Sequence, residues 1–279
     1  MIDICTVVFR DEISVLRAQA QSVGLYAHDL GVRNIYVVVN DHDDVVSEID
    51  AHWWGSLAPR VMIMPRSLFS AAWTDNGWVS QQLWKMLACT LSYNTYTMVL
   101  DAKTILVRPL AQQELIDSSG RVCTGMLPLY PVFEASQRIT EQLFDITMTQ
   151  QLGPGGVPFF FHNDTVRFMI SETTFCTQQS FPVWFQAQGR LTEFVLYSGY
   201  VQHRYGSQDS LYADHRSIHP VNVCHSEVAA FDRKIVEMQE SQTTSVSVHR
   251  GAWQALDTGQ RLEYRTYLID RGITAAYDL

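Results

Sequence analysis

Asp101 closes the apolar run Tyr96 to Leu100 (YTMVL), and a carboxylate at the tip of a buried strand costs free energy unless it meets a cation, a hydroxyl or backbone donors. Lys103 follows two residues later and lies on the same side of the chain if the backbone stays extended. Such a pair suits a ribose or sugar hydroxyl and a phosphate, the alternative being an ordinary turn cap. Upstream, Gln81, Gln82 and Lys85 stand at helical offsets that gather them on one face, either to reach a bound nucleotide or to lie as a solvated surface. Glu193 follows Thr192 at an expected helix start. There it compensates the helix dipole, or serves as a general base presented by a rigid element. His249 ends the run Ser245-Val246-Ser247-Val248 and precedes Arg250, a pair suited to meet a diphosphate.

Other patterns exclude chemistry. The first apolar run continues into FRDE, so neither the dinucleotide fingerprint GxGxxG nor the phosphate loop GxxxxGK[ST] is present. Gly153-Pro154-Gly155-Gly156 has no lysine and reads as a turn between elements. His215, His219 and His225 match no zinc spacing. Trp73 and Trp78 fall in a stretch rich in Ser, Trp, Asn and Gly that reads as a loop able to line a sugar or base pocket, whereas Trp84, Tyr197 and Tyr200 read as core.

The elements that must position these side chains alternate. Ile4 to Phe9, Asn34 to Val39, Val61 to Met64 and Tyr96 to Leu100 are β-branched apolar runs, and helical periodicity occupies Ile13 to Val23 and Leu83 to Leu91. This predicts a mostly parallel α/β sheet flanked by helices. Arg10 and the polar loop Asn40-Asp41 fall at strand carboxyl ends, the edge where open parallel sheets bind ligands. Thr104 to Val107 predicts a further extended run. Beyond Pro109 the pattern is less regular, with helices expected near Glu134 to Met148, Asp164 to Ser171 and Thr192 to Arg204, and a strand near Val122 to Leu127.

The chain has 279 residues, 47% of them hydrophobic and 18% charged, enough apolar material for one large globular domain. A net charge of −9 with no Lys/Arg run opposes duplex nucleic acid as a partner, though two or three placed cations or a metal ion suffice for a single diphosphate. Five widely spaced cysteines without a CxxC pair read as reduced thiols. The start MIDICTVVFRDE lacks a signal-peptide pattern, and no uncharged run is long enough to span a bilayer. The expected location is cytoplasmic, with peripheral attachment at the inner membrane left open.

Taken in order, TVVFRDE, IYVVVNDHD, QQLWKMLA, YTMVLDAKTILVRPL, TEFVLYSGY and SVSVHRGAW resemble a GT-A glycosyltransferase family, more narrowly the bacterial and phage group DUF6492. The resemblance implies a GT-A, Rossmann-like single domain. Residues 1–109 would form a nucleotide-sugar half and residues 110–279 an acceptor half. It implies transfer from a UDP- or GDP-linked sugar to a hydroxyl of a glycan acceptor, such as a bacterial surface or capsular polymer. Arg10, Asn40, Asp41, Gln82, Lys85, Asp101, His249 and Arg250 would bind the donor, and Glu193 would be the base. Asp101 stands at the first acid of a DxD-like motif, and Lys103 replaces the second. Mg²⁺ or Mn²⁺ held by Asp101 and His249, and metal-free transfer in which Lys103 neutralises the leaving diphosphate, are both open. The competing functions are a non-catalytic nucleotide-sugar or glycan-binding module, a nucleotidyltransferase, and a phage enzyme acting on a modified nucleobase.

Overall fold

The computed structural model describes residues 2–72, 76–275 and 277; Trp73, expected to line a pocket, lies outside them. In chain order the elements are β1 (Ile2–Val8), α1 (Ile13–Tyr26), β2 (Ile35–Val39), β3 (Val61–Met64), α2 (Gly77–Leu91), β4 (Tyr96–Asp101) and β5 (Ile105–Leu106). There follow α3 (Gln112–Leu115), β6 (Val122–Cys123), β7 (Met126–Pro128), α4 (Glu134–Phe144), β8 (Gln150–Leu152) and β9 (Phe159–His162). The chain continues through α5 (Asn163–Thr177), α6 (Phe181–Gln188), α7 (Glu193–Tyr205), β10 (Tyr212–Ala213) and β11 (Pro220–Val223). It closes with α8 (Phe231–Met238), β12 (Ser245–Val248), α9 (Arg250–Ala255) and α10 (Thr258–Ile269).

Every residue of β1 and β2 is buried, which a strand achieves only with helices on both faces of its sheet. The main sheet runs β3-β2-β1-β4-β9, parallel except for β9. Because the chain moves outward from β1 to β3 and then returns to pair β4 on the other side of β1, the right-handed rule for parallel crossovers puts α1 and α2 on opposite faces. The reversal falls between β1 and β4, and such a switch point opens a crevice at the strand carboxyl ends. Register levels the tips there, with Val7 opposite Asp101 and Val8 opposite Val39.

A three-stranded sheet, β11-β12-β5, is built from the segment after β4 and from two late strands. Antiparallel pairing of β5 with β12 brings the end of β12 to the β4 tip. One buried acid belongs to the opposite edge: Asp3 accepts from Asn34, Ser92 and Asn94, neutral donors that seal the amino ends of the strands.

The structure corrects several local expectations. Lys103 does not reach Asp101 along an extended backbone; the chain turns, with Thr104 N donating to the Asp101 carbonyl at 2.8 Å. Trp78 lies in α2, not in a loop, because Asn76 caps the helix by accepting from Val79 N. The single strand expected over Val122 to Leu127 is two short ones, separated by Gly125 at φ 71°, a left-handed turn that interrupts pairing. Helix α5 runs to Thr177, beyond the expected Ser171.

Candidate functional site

A cavity of about 420 Å³ opens at the switch point. One wall is the face of α2 that carries Trp78, Gln81, Gln82 and Lys85; the floor is the β4 tip with Asp101 and Lys103. The first turn of α7 supplies Thr192, Glu193 and Phe194, and the ends of β11 and β12 supply Asn222, Cys224, Ser247 and His249. Gly155, Gly156, Val157 and Phe133 complete the rim. A groove of similar size, about 390 Å³, lies between α8 and α10 along Ile235, Leu262 and Tyr267. It is a mostly apolar seam, whereas the switch-point cavity gathers buried charge.

That charge forms a chain of alternating sign. Glu193 Oε1 lies 3.1 Å from Lys85 Nζ, Lys85 Nζ lies 2.9 Å from Asp101 Oδ1, and Asp101 Oδ2 lies 2.9 Å from Lys103 Nζ. Exposure is greater in the second half of the chain, 16% for Asp101 and 12% for Lys103, than in the first, 0% for Glu193 and 3% for Lys85, so the pair of Asp101 and Lys103 is the part more open to the cavity. Gln81 donates to Asp101 Oδ1 at 3.2 Å. Gln19 of α1 donates to the Asp101 carbonyl, fixing the strand tip from the other face of the sheet. With its amide nitrogen turned to Glu193, Gln82 accepts from Trp78 Nε1 at 3.1 Å. Phe194 places its ring 5.2 Å from Lys85 Nζ, a cation–π contact on the ammonium's remaining side.

The titration of these groups follows from burial and pairing. Burial opposes ionisation of Asp101, but Lys103 and Lys85 outweigh it and hold the carboxyl well below the usual carboxylate range. Lys85 is likewise disfavoured by burial and restored by Asp101 and Glu193, which keep it protonated far into the alkaline range. Burial pushes the Glu193 carboxyl up, with Lys85 pulling it partly back. His249 sits at the exposed mouth; desolvation on its cavity side and the Lys103 charge lower its imidazole, which favours the neutral ring.

Eight of the residues marked from sequence therefore meet in one place: Trp78, Gln81, Gln82, Lys85, Asp101, Lys103, Glu193 and His249. Arg10, Asn40, Asp41 and Arg250 do not line this cavity. Arg10 binds Asp44 at 2.6 Å and approaches Glu48 at 3.5 Å, while its backbone N–H donates to Asp41. Asn40 is buried and ties β2 to α2, donating to the Gly77 carbonyl and accepting from Ser80, both at 2.9 Å. Arg250 pairs with Asp11 at 3.2 Å on the surface.

Other lining residues carried no sequence signal of their own. Asn222, Ser247 and Cys224 reach the cavity only because β11 pairs in parallel with β12, a long-range fact. Ser247 donates to Asn222 Oδ1 at 2.6 Å, leaving the Asn222 amide hydrogens as donors. Thr192 Oγ1 is buried and has no hydrogen-bond partner among the described residues. The GPGG turn forms part of the rim, a position that its composition alone could not supply.

The DUF6492 family, described as a family of unknown function, matches residues 6–247. Among curated proteins none matches. Among solved structures, the galactosyltransferase LgtC, in complex with donor and acceptor sugar analogues, is similar over 99% of this chain and 97% of its own, with 12% identity and a TM-score of 0.50. An active-site mutant of LgtC gives 10% identity, 96% and 95% coverage and a TM-score of 0.49. The bifunctional glycosyltransferase WbbM gives 10% identity, 88% and 45% coverage and a TM-score of 0.43. The fold is of the GT-A type, a single α/β domain with a mixed, mostly parallel sheet flanked by helices.

Proposed function

We propose that this chain, which belongs to the DUF6492 family, transfers a sugar from a nucleoside diphosphate donor to a hydroxyl of a glycan acceptor in the switch-point cavity. The observation that carries this reading is the convergence of Asp101, Lys103, Lys85, Glu193 and His249 on one cavity at the tips of parallel strands, where open α/β sheets take ligands. The bond between sugar C1 and the β-phosphate oxygen breaks, its electron pair leaving on that oxygen. A bond forms between C1 and the acceptor oxygen, whose proton passes to a base. His249 suits that role, being neutral, exposed and at the mouth. Glu193, expected as the base from sequence, has a carboxylate enclosed by Lys85 and Gln82, and in this reading it anchors instead.

Phe133 and Trp78 give the cavity apolar faces beside the polar side chains of Asn222 and Ser247, a lining suited to a sugar ring. Both proposed halves contribute walls: residues 1–109 the donor side with α2 and the β4 tip, residues 110–279 the acceptor side. A surface or capsular glycan acceptor and a cytoplasmic location complete the reading. Among the described residues no helix is long and apolar enough to cross a membrane.

A divalent ion fits this donor set poorly. Each Asp101 oxygen already faces an ammonium at 2.9 Å, and among the described residues no group of three or more His, Cys, Asp or Glu side chains is placed to hold a metal ion. An ion about 4 Å from the Lys103 charge would meet a repulsion of about 8 kcal/mol at an effective dielectric constant of about 20.

Release of free sugar and nucleoside diphosphate from a panel of UDP- and GDP-linked sugars tests the activity. One donor is expected to be consumed, with His249→Ala lowering kcat roughly 100-fold and the fold unchanged. Binding of a donor without turnover by any acceptor or water would instead favour a non-catalytic module.

A further inference from the structure

Resting on the donor-binding reading above, we infer that Lys103 is the resident cation of this site, its ammonium occupying the role that a divalent ion would otherwise fill against the donor diphosphate. The second position of the Asp-x-Asp-like pattern is the natural place for a metal ligand, and here it carries the charge itself. Asp101 holds that charge at 2.9 Å and is itself fixed by Lys85 at 2.9 Å and Gln81 at 3.2 Å. Lys85 also borders the cavity, but it is 3% exposed and its ammonium is held between two carboxylates; Lys103, 12% exposed and paired with Asp101, is the more exposed of the two cations lining the cavity.

The turn after β4 makes this arrangement rigid. Thr104 N donates to the Asp101 carbonyl, and Tyr277 Oη donates to the Lys103 carbonyl at 3.3 Å. A lysine has a long side chain that loses rotamer entropy when bound, and a fixed backbone together with a carboxylate partner lowers that cost before the ligand arrives. As the C1–O bond breaks, the electron pair leaving on the β-phosphate oxygen gains a preorganised ammonium. No metal need be recruited. Lys85 and Glu193 act through Asp101 and are positioning residues.

Isothermal titration of the full chain with UDP and with GDP, in EDTA and then in Mn²⁺, reads this without requiring turnover. The expected result is that one nucleotide binds with the same affinity in both buffers. Lys103→Met should weaken it roughly 10- to 100-fold, the loss of a hydrogen bond to a charged group, with an unchanged circular dichroism spectrum. Lys103→Asp, which restores a second carboxylate, should bind only when Mn²⁺ is present. Wild-type affinity that rises ten-fold or more with Mn²⁺ overturns the inference while leaving the nucleotide reading intact, and so does wild-type affinity in Lys103→Met. Absence of binding by every nucleotide in both buffers sinks the nucleotide reading and this inference with it. The wild-type comparison stands even if a variant fails to fold.

Discussion

Lys85 shows how one almost fully buried side chain can organise the site it borders. Its ammonium lies between Asp101 and Glu193, and a buried charge of this kind is tolerated only because its partners are buried with it. Lys85→Met should therefore destabilise the protein by about 3–5 kcal/mol, since it leaves carboxylates without their shared counter-ion. The double variant Lys85→Met/Glu193→Gln removes one charge of each sign and should recover part of that loss. Urea unfolding of wild type, both single variants and the double variant measures the coupling. A single-variant cost below about 1 kcal/mol, the range of an exposed pair, would contradict the buried network. The sequence marked Lys85 and Glu193 separately, one as a helix-face cation and the other as a base. Their contact spans more than one hundred positions, and no local pattern encodes it.

Among the elements, α7 decides where Glu193 and Thr192 stand, and α4 decides where α7 stands. The two helices approach closely at Gly199, where an added Cβ would overlap Thr140 Cγ2 and come within 3.0 Å of Met148 Sδ. Thr140 cannot yield, because its hydroxyl donates to the Ser136 carbonyl at 2.8 Å and its β-branched side chain has few rotamers in a helix. Gly199→Ala should thus cost about 1–3 kcal/mol as overpacking, despite the better helix propensity of alanine. Its first consequence should be a displaced α7. A thermal melt together with nucleotide titration would detect both, and an unchanged melting temperature would show that the helices are not in this contact. Helical periodicity located α7 to within a residue at each end. The glycine that sets its distance from α4 is an unremarkable letter in that pattern, because close approach is a property of two helices and not of one.

At the scale of the whole molecule, a ligand held between the main sheet, α2, α7 and the small sheet should tie these parts together. A nucleoside diphosphate at about 100 times its Kd contributes about 2.7 kcal/mol to the folded state, roughly 5 °C or more in Tm for a domain of this size. Differential scanning fluorimetry with UDP and GDP checks it, and a shift produced equally by inorganic sulfate would point to charge alone. The amino-acid sequence by itself determined the βαβ alternation, the acid at the fourth strand tip and the amphipathic face of α2, because strand and helix periods and strand ends are local signals. The GT-A architecture was implied separately, by the resemblance of the ordered segments to that family. Tertiary structure alone decided that Arg10 pairs with Asp44 and Asn40 with the α2 terminus, that β12 docks on β5 to deliver His249, and that four charged side chains form one chain. These outcomes depend on the pairing of distant strands and on which partner reaches a buried charge first, and neither is written in the spacing of residues along the chain.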